Sequence, residues 1–460
     1  MAASAFSSLS LSAEFLSNLK SLDYLDMTPI QAKSLPAVLD GKDVQAQAKT
    51  GSGKTAAFGI GLLHNLDNQS YRVQALVLCP TRELADQVSK ELRRLARPIP
   101  NTKILTLCGG IPIRPQKASL EHQPHIVVGT PGRILKHLQT EALHLDNVKT
   151  LVLDEADRML DMGFHDDIMR IIDATPKQRQ TLLFSATFPD DIKAISGAIQ
   201  TDPIEIQVES LHDNSKIKQV FYQVEHNARA ATLVALLQHY RPESSVVFCN
   251  RKLQCQELAD DLWRQGIHVL ALHGDLEQKE RDQVLVQFAN KSSSVLIATD
   301  VAARGLDIKD LAAVINFELS PDPEIHIHRI GRTGRAGNEG LALSLFASTE
   351  TRKVDAIADY QGTPVRIEKI SSLNPPDNFR LIPAMTTLCI YAGRKNKIRA
   401  GDILGALTAN TDLPGKRIGK IDLFDKIAYV AVEHPIAKQA LSILSDGKIK
   451  GRKYRVRRLR

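Results

Sequence analysis

The chain has 460 residues, 43% apolar and 24% charged, the balance of an ordinary globular protein with material for roughly three domains. Its five cysteines, Cys79, Cys108, Cys249, Cys255 and Cys389, are scattered with no C-x-x-C pair, which argues against a disulfide framework and a zinc site. With no basic leader and no run near the ~18 apolar residues of a membrane span, a reduced cytoplasm and no membrane partner are expected. The net charge of +7 is uneven: residues 385–460 hold 17 Lys and Arg against 6 Asp and Glu, a net of +11, and the rest carries −4. Such segregation points to a nucleic-acid-binding tail domain on a near-neutral body.

The first chemistry in chain order is Ala48, Lys49, Thr50, Gly51, Ser52, Gly53, Lys54 and Thr55. A Gly-rich turn ending in Gly-Lys-Thr presents backbone N–H groups to phosphates at a helix N-terminus, although Ala48 replaces the first Gly of the general pattern. Lys54 would reach the β/γ-phosphates and Thr55 would ligate Mg²⁺. Four short apolar runs then end in polar clusters. Leu76, Val77 and Leu78 precede Cys79, Pro80, Thr81 and Arg82, with a helical pattern over 83–96. Ile126, Val127 and Val128 precede Gly129, Thr130, Pro131, Gly132 and Arg133. Leu151, Val152 and Leu153 precede Asp154, Glu155, Ala156 and Asp157, and Leu182, Leu183 and Phe184 precede Ser185, Ala186 and Thr187. Buried parallel strands alternating with helices predict an open α/β sheet, which binds ligands beyond the carboxyl ends of its strands. At such an end Asp154 suits the metal and Glu155 the attacking water, leaving Asp157 as a linker.

The rhythm restarts after residue 209. Val246 to Phe248, Val269 to Leu272, Val295 to Ile297, and Val314 with Ile315 predict a second α/β lobe without a phosphate loop. Residues 209–215 read as a hinge and 371–378 as a linker. The domain reading is 1–208, 209–370, a linker over 371–384, and 385–460. In the last segment, strands at 387–391, 418–423, 427–432 and 454–459 and helices at 400–407 and 436–444 give a β-α-β-β-α-β order, that of an RNA-recognition module.

On these residues the chain resembles the DEAD-box RNA helicases, from Phe6 to about residue 370, and within them the DbpA subfamily, which carries the resemblance to the C-terminus. The resemblance implies two RecA-like lobes and a small α+β domain, an RNA-dependent ATPase with ATP and Mg²⁺, and a monomer. Tyr24 and the run Met27, Thr28, Pro29, Ile30, Gln31 resemble the adenine-reading motif, with Phe6 as a distant stacking aromatic; by itself Gln31 reads as an exposed helix residue. Pro80, Thr81 and Arg82, Gly109 and Gly110, and Thr130, Gly132 and Arg133 resemble the strand-gripping motifs, a sequence-blind grip on phosphates. Ser185, Thr187 and His328 would couple nucleotide state to strand separation. In the second lobe Thr299 and Asp300 should face RNA and Asp307 the nucleotide, while Arg332 and Arg335 inherit the finger roles on the γ-phosphate.

Two departures stand out. Arg251 follows Phe248, Cys249 and Asn250 where the family usually has Thr, replacing that contact with a guanidinium suited to a phosphate. The main stacking strand of the small domain offers Ile427 and Tyr429 where two aromatics are expected, which weakens a single-strand platform. Its basic residues Arg452, Lys453, Arg455, Arg457 and Arg458 then suit a folded RNA, which the resemblance gives as a hairpin of bacterial 23S ribosomal RNA in the large-subunit precursor. Rival readings are a DNA helicase, which DNA should stimulate, and a non-catalytic RNA scaffold, against which Lys54, Glu155, Arg332 and Arg335 argue.

Overall fold

The computed structural model describes residues 5–48, 51–208, 217–303, 311–334, 339–374, 381–409 and 411–459. The chain divides into two compact units, one built on a first sheet and one holding a second sheet together with a small third. The first sheet contains β1 (Val44–Gln47), β2 (Ala75–Leu78), β3 (Ile104–Leu107), β4 (Ile126–Gly129), β5 (Thr150–Asp154), β6 (Gln180–Ser185) and β7 (Ile204–Gln207). All pairs are parallel, in the order β3-β4-β2-β5-β6-β1-β7. Its central strands β2, β4 and β5 are buried along their whole length because helices cover both faces. In β2, Ala75 and Val77 pack with Val44 and Phe184, whereas Leu76 and Leu78 pack with Leu151 and Leu153 on the other side.

The second sheet repeats the arrangement with β8 (Ile217–Gln223), β9 (Ser245–Cys249), β10 (Val269–Leu272), β11 (Val295–Thr299), β12 (Ala313–Asn316), β13 (Gly340–Phe346) and β14 (Ile367–Glu368). Their order is β10-β11-β9-β12-β13-β8-β14, again parallel throughout. The fold class expected from the apolar runs is therefore found. Of the expected boundaries, residues 209–215 and 375–378 lie outside the described residues.

The third sheet is antiparallel, with β15 (Met385–Ile390), β16 (Ile418–Leu423), β17 (Ala428–Glu433) and β18 (Val456–Arg458) in the order β16-β17-β15-β18. Helices Ala400–Thr408 and Ala437–Asp446 cover one face around Leu388, Ile403, Val430 and Leu444. The other face is also occupied. Cys389, Tyr429 and Leu459 form a cluster against which Val286 packs, from helix Gln278–Ala289 of the second sheet's layer. The same junction is tied by Met385 N, which donates to Lys291 O at 3.2 Å, and by the Ser292 and Thr387 hydroxyls 2.6 Å apart.

Candidate active site

The strand order brings the predicted loops to one edge of the first sheet in two groups. The carboxyl ends of β5, β6 and β1 are neighbours in register, Asp154 opposite Phe184 and Gln47 opposite Ser185. Ala48 N donates to Ser185 O at 2.9 Å, so the phosphate loop leaves the sheet beside the Ser185–Thr187 turn. Lys49 and Thr50 lie outside the described residues. Gly51 and Gly53 both have positive φ, +86° and +98°, and a Cβ on Gly53 would come within 2.6 Å of Gln31 Nε2, so the loop admits only glycine there. Gly53 caps helix Lys54–His64, which places Lys54 and Thr55 in its first turn.

Three polar atoms around this loop are buried with no hydrogen-bond partner among the described residues: Lys54 Nζ, Ser52 Oγ and Asp154 Oδ1. Lys54 is only 5% exposed. Leaving each such atom unpaired costs about 1–3 kcal/mol, and more for charged groups. A buried ammonium, a buried hydroxyl and an unpaired carboxylate oxygen around one glycine-rich loop are the groups that would hold a phosphate with a divalent cation. Burial is the largest influence on Asp154 and raises its pKa to about 6; Lys54 opposes the rise and Glu155 adds to it. Among the described residues no group of three or more His, Cys, Asp or Glu could hold a metal ion.

Glu155 adopts the left-handed region, φ 55°, which a side-chain-bearing residue holds at a cost of about 1–3 kcal/mol. Its Oε2 accepts from Arg158 Nη1 at 3.0 Å. Asp157 fastens the acidic turn to the neighbouring loop: its Oδ2 accepts from Ala186 N, Thr187 N and Thr187 Oγ1, each at 3.2 Å. Ser185 Oγ accepts from Asp157 N at 3.2 Å.

Gln31 is 1% exposed and its amide is held on both sides. Its Oε1 accepts from Thr28 N at 2.9 Å and its Nε2 donates to Gly53 O at 3.1 Å. Phe6 is buried, with its ring edge-on to Tyr24 at 6.1 Å, and the Tyr24 hydroxyl donates to Glu91 at 2.8 Å.

The second group of loops follows β2, β3 and β4, which lie together at one side of the same sheet. Pro80 and Thr81 lead into helix Arg82–Leu95, and Thr81 Oγ1 caps it by accepting from Leu84 N at 3.2 Å. Arg82 Nη1 is buried without a hydrogen-bond partner among the described residues. Gly110 has φ +73° in the turn after β3. Thr130 is the N-cap of helix Pro131–Gln139, Gly132 is exposed in its first turn, and Arg133 donates to Gln116 Oε1 and to Ile111 O at 2.9 and 3.0 Å.

In the second unit Thr299 ends β11 and is buried. Asp300, expected to face RNA, has both carboxylate oxygens at 2.7 Å from the Arg329 guanidinium. Arg329 is 2% exposed and also donates to Asn250 Oδ1, Asn316 Oδ1 and Glu318 O. Sequence reasoning passed over this arginine, which is the residue after His328 and stands three before Arg332. His328 Nε2 is 3.9 Å from Glu324, and Arg332 is largely buried. Arg335 and Asp307 lie outside the described residues. Arg251 is exposed at the N-cap of helix Lys252–Arg264, with no side-chain cap bond.

On the small domain Arg452, Lys453 and Arg455 are exposed, and Arg455 lies over the Tyr391 ring at 5.4 Å from its centroid. Tyr429, the one aromatic expected on the main stacking strand, is 3% exposed beneath the cluster that Val286 joins. The sheet face that binds single strands in RNA-recognition modules is thus covered here.

Comparison with known proteins adds the following. A DEAD/DEAH box helicase model matches residues 28–195, a helicase conserved C-terminal domain 228–337, and a DbpA RNA binding domain 387–458. The chain is 55% identical over 460 residues to the ATP-dependent RNA helicase DbpA of Escherichia coli, covering 99% of this chain and 100% of that one. It is 44% identical over 353 residues to the DEAD-box ATP-dependent RNA helicase CshA of Bacillus cereus, 76% of this chain and 67% of the relative. Among solved structures, S. cerevisiae Dbp5 bound to RNA and ADP BeF3 matches with a TM-score of 0.72 at 30% identity, over 80% of this chain and 97% of that one. No helix among the described residues is long and apolar enough to cross a membrane.

Proposed function

This chain belongs to the DEAD-box ATP-dependent RNA helicases of the DbpA type, and from that premise we propose that it opens short RNA duplexes locally while residues 385–460 tether it to a hairpin of 23S ribosomal RNA during large-subunit assembly. It works as a monomer in the cytoplasm. The observation that carries the ATP half of this reading is the set of buried polar atoms without a partner among the described residues, Lys54 Nζ, Ser52 Oγ and Asp154 Oδ1, at the carboxyl ends of β1 and β5, which flank β6.

Gln31 gives the choice of base. A primary amide has two N–H donors and two acceptor lone pairs, and Thr28 and Gly53 use one of each. One donor and one acceptor remain, a set that matches the N7 and N6 edge of adenine and that guanine cannot reciprocate. The two internal bonds also fix which end of the amide is which, so the selectivity is built in before the base arrives.

Backbone N–H groups of Gly51 to Thr55 and the Lys54 ammonium bind the phosphates, the Ala48 N–H being already given to Ser185 O. Thr55 and Asp154 would hold Mg²⁺, which would supply positive charge against the phosphate oxygens. Glu155 orients the water, and Arg332 and Arg335 supply positive charge where negative charge develops around the γ-phosphoryl group, an effect worth about 10³- to 10⁵-fold in rate. Loops after β2, β3 and β4, with Arg82 and Arg133, grip the backbone of one strand without reading its bases. A gripped and bent strand loses its pairing geometry, and its partner leaves.

The tether reading rests on the match of residues 387–458 to the DbpA RNA binding domain, on the +11 charge of residues 385–460, and on the covered sheet face, which leaves the basic rim to meet a folded RNA. ATPase rates measured with a 23S hairpin fragment, generic RNA and DNA test the whole. The fragment should stimulate the full chain most and DNA least, and a chain lacking residues 385–460 should respond equally to both RNAs. A truncated enzyme that still prefers the fragment would place selection in the core, and equal stimulation by DNA would overturn the RNA reading.

A further inference from the structure

Gln116 belongs to none of the recognised motifs, yet it is buried among those of the first unit. It lies in helix Ile113–Leu120 and is 4% exposed. Its Nε2 donates to Cys108 O at 3.0 Å. Its Oε1 accepts from Arg133 Nη1 at 2.9 Å and lies 2.8 Å from His137 Nε2. An amide oxygen can only accept, so both of its lone pairs are used and His137 carries its proton on Nε2. The other ring nitrogen, Nδ1, is buried without a partner, as a bare acceptor. Burial first, then Arg133 and Lys117, hold the His137 pKa down at about 4, so the imidazole is neutral at neutral pH and can play that part.

One side chain therefore ties together two of the loops assigned to the phosphate grip. Cys108 opens the turn that contains Gly109 and Gly110, and Ile111, whose carbonyl accepts from Arg133 Nη2 at 3.0 Å, closes it. Arg133 and His137 stand one helical turn apart on helix Pro131–Gln139. Arg133 has five N–H donors and spends two internally, which leaves three for a ligand in a fixed orientation.

We propose that Gln116 is a positioning residue for RNA: by holding the Arg133 guanidinium and the Gly109–Gly110 turn in one fixed relation, it presents their donors together to neighbouring phosphates of one strand. This rests on the grip assigned to Arg133 above. A buried amide with all three of these bonds made specifies a single geometry, which an apolar side chain of the same size would not.

The test is RNA-stimulated ATPase in the full chain with a generic single-stranded RNA, comparing Gln116→Met, Gln116→Glu, Arg133→Ala and the double variant of Gln116→Met with Arg133→Ala. Gln116→Met keeps the length of the side chain and removes its polar atoms. Half-saturating RNA should rise about tenfold, the loss of a charge-assisted bond, while the rate at saturating RNA and the half-saturating ATP stay within twofold. Gln116→Glu retains the acceptor for Arg133 and His137 but cannot donate to Cys108 O, so half-saturation should fall between the Gln116→Met and wild-type values, a partial rescue that lost core packing would not explain. The double variant should be no worse than Arg133→Ala alone, because Gln116 acts through that arginine. If Arg133→Ala leaves half-saturation unchanged, the grip itself is misassigned. If Arg133→Ala weakens RNA binding but Gln116→Met does not, or if the two effects simply add, the grip stands and the positioning role is overturned; Gln116→Glu decides the same point should Gln116→Met fail to fold.

Discussion

Asp154 and Glu155 are adjacent carboxylates in different surroundings. Asp154 ends β5 with one oxygen unpartnered and a pKa raised by burial to about 6, a group that gains by meeting a cation. Glu155 is held in a left-handed turn and by Arg158, which fixes where its carboxylate points. Glu155→Gln preserves shape and the Arg158 contact but removes the base. Turnover should fall by about 10²- to 10⁴-fold with ATP affinity nearly unchanged, read from single-turnover hydrolysis beside nucleotide titration. Lys54→Ala should behave in the opposite manner and weaken nucleotide binding itself, since a buried phosphate-facing charge is lost; unaltered affinity would refute the phosphate-loop assignment. These residues were legible because spacing alone betrays them: Gly51, Gly53 and Lys54 follow an extended segment, and Asp154 ends an apolar run. Gln116 and Arg329 were not. A polar residue inside a helix has no local mark that distinguishes an exposed side chain from the hub of a buried network, and Arg329 finds Asn250, Asp300 and Asn316 only when separate strands are brought together.

Among the elements, strands buried on both faces showed themselves as continuous apolar runs, and β2, β4, β5, β6, β9, β10, β11 and β12 were all found where such runs lie. The runs missed β1, where Gln45 and Gln47 alternate with Val44 and Ala46, and the edge strands β3, β7 and β14, which are only partly covered. They also missed β8 and β13, whose polar Lys218, Gln219 and Ser344 interrupt the pattern. Helix Lys252–Arg264 shows an element giving up local stability. Its N-cap, Arg251, has extended backbone, φ −120° and ψ 141°, which suits a capping side chain, but arginine cannot accept from the exposed N–H groups and sets a cation at the positive end of the helix. Arg251→Thr should therefore stabilise the protein by about 0.5–2 kcal/mol, seen as a higher urea midpoint. The guanidinium is instead suited to phosphate, so the same variant should bind single-stranded RNA more weakly, with a slope of log affinity against log salt shallower by about 0.7. A steeper or unchanged slope would leave the arginine without an RNA contact.

In the molecule as a whole, the small domain is seated on the second sheet's layer by the face that would otherwise stack bases. Tyr429 is raised to about pKa 12, mainly by burial, and stays neutral beneath Val286, while the basic residues Arg452, Lys453 and Arg455 remain exposed. The small domain and the sheet that carries Arg332 thus belong to one compact unit, and the tether reading then expects an RNA held by the basic rim to meet the helicase in a defined orientation. Val286→Lys tests this by placing an ammonium at the half-buried edge of the Tyr429 and Cys389 cluster, where an unpaired charge costs free energy that separation relieves. Affinity for the 23S hairpin should change little, because its basic contacts are untouched. Stimulation of ATPase by that fragment should fall to the level of generic RNA, because the hairpin is still held but no longer oriented. Retained preference in the Val286→Lys enzyme, with separation verified by new protease cleavage between residues 371 and 384, would show that tethering alone suffices and that the seating of the sheet face serves stability only.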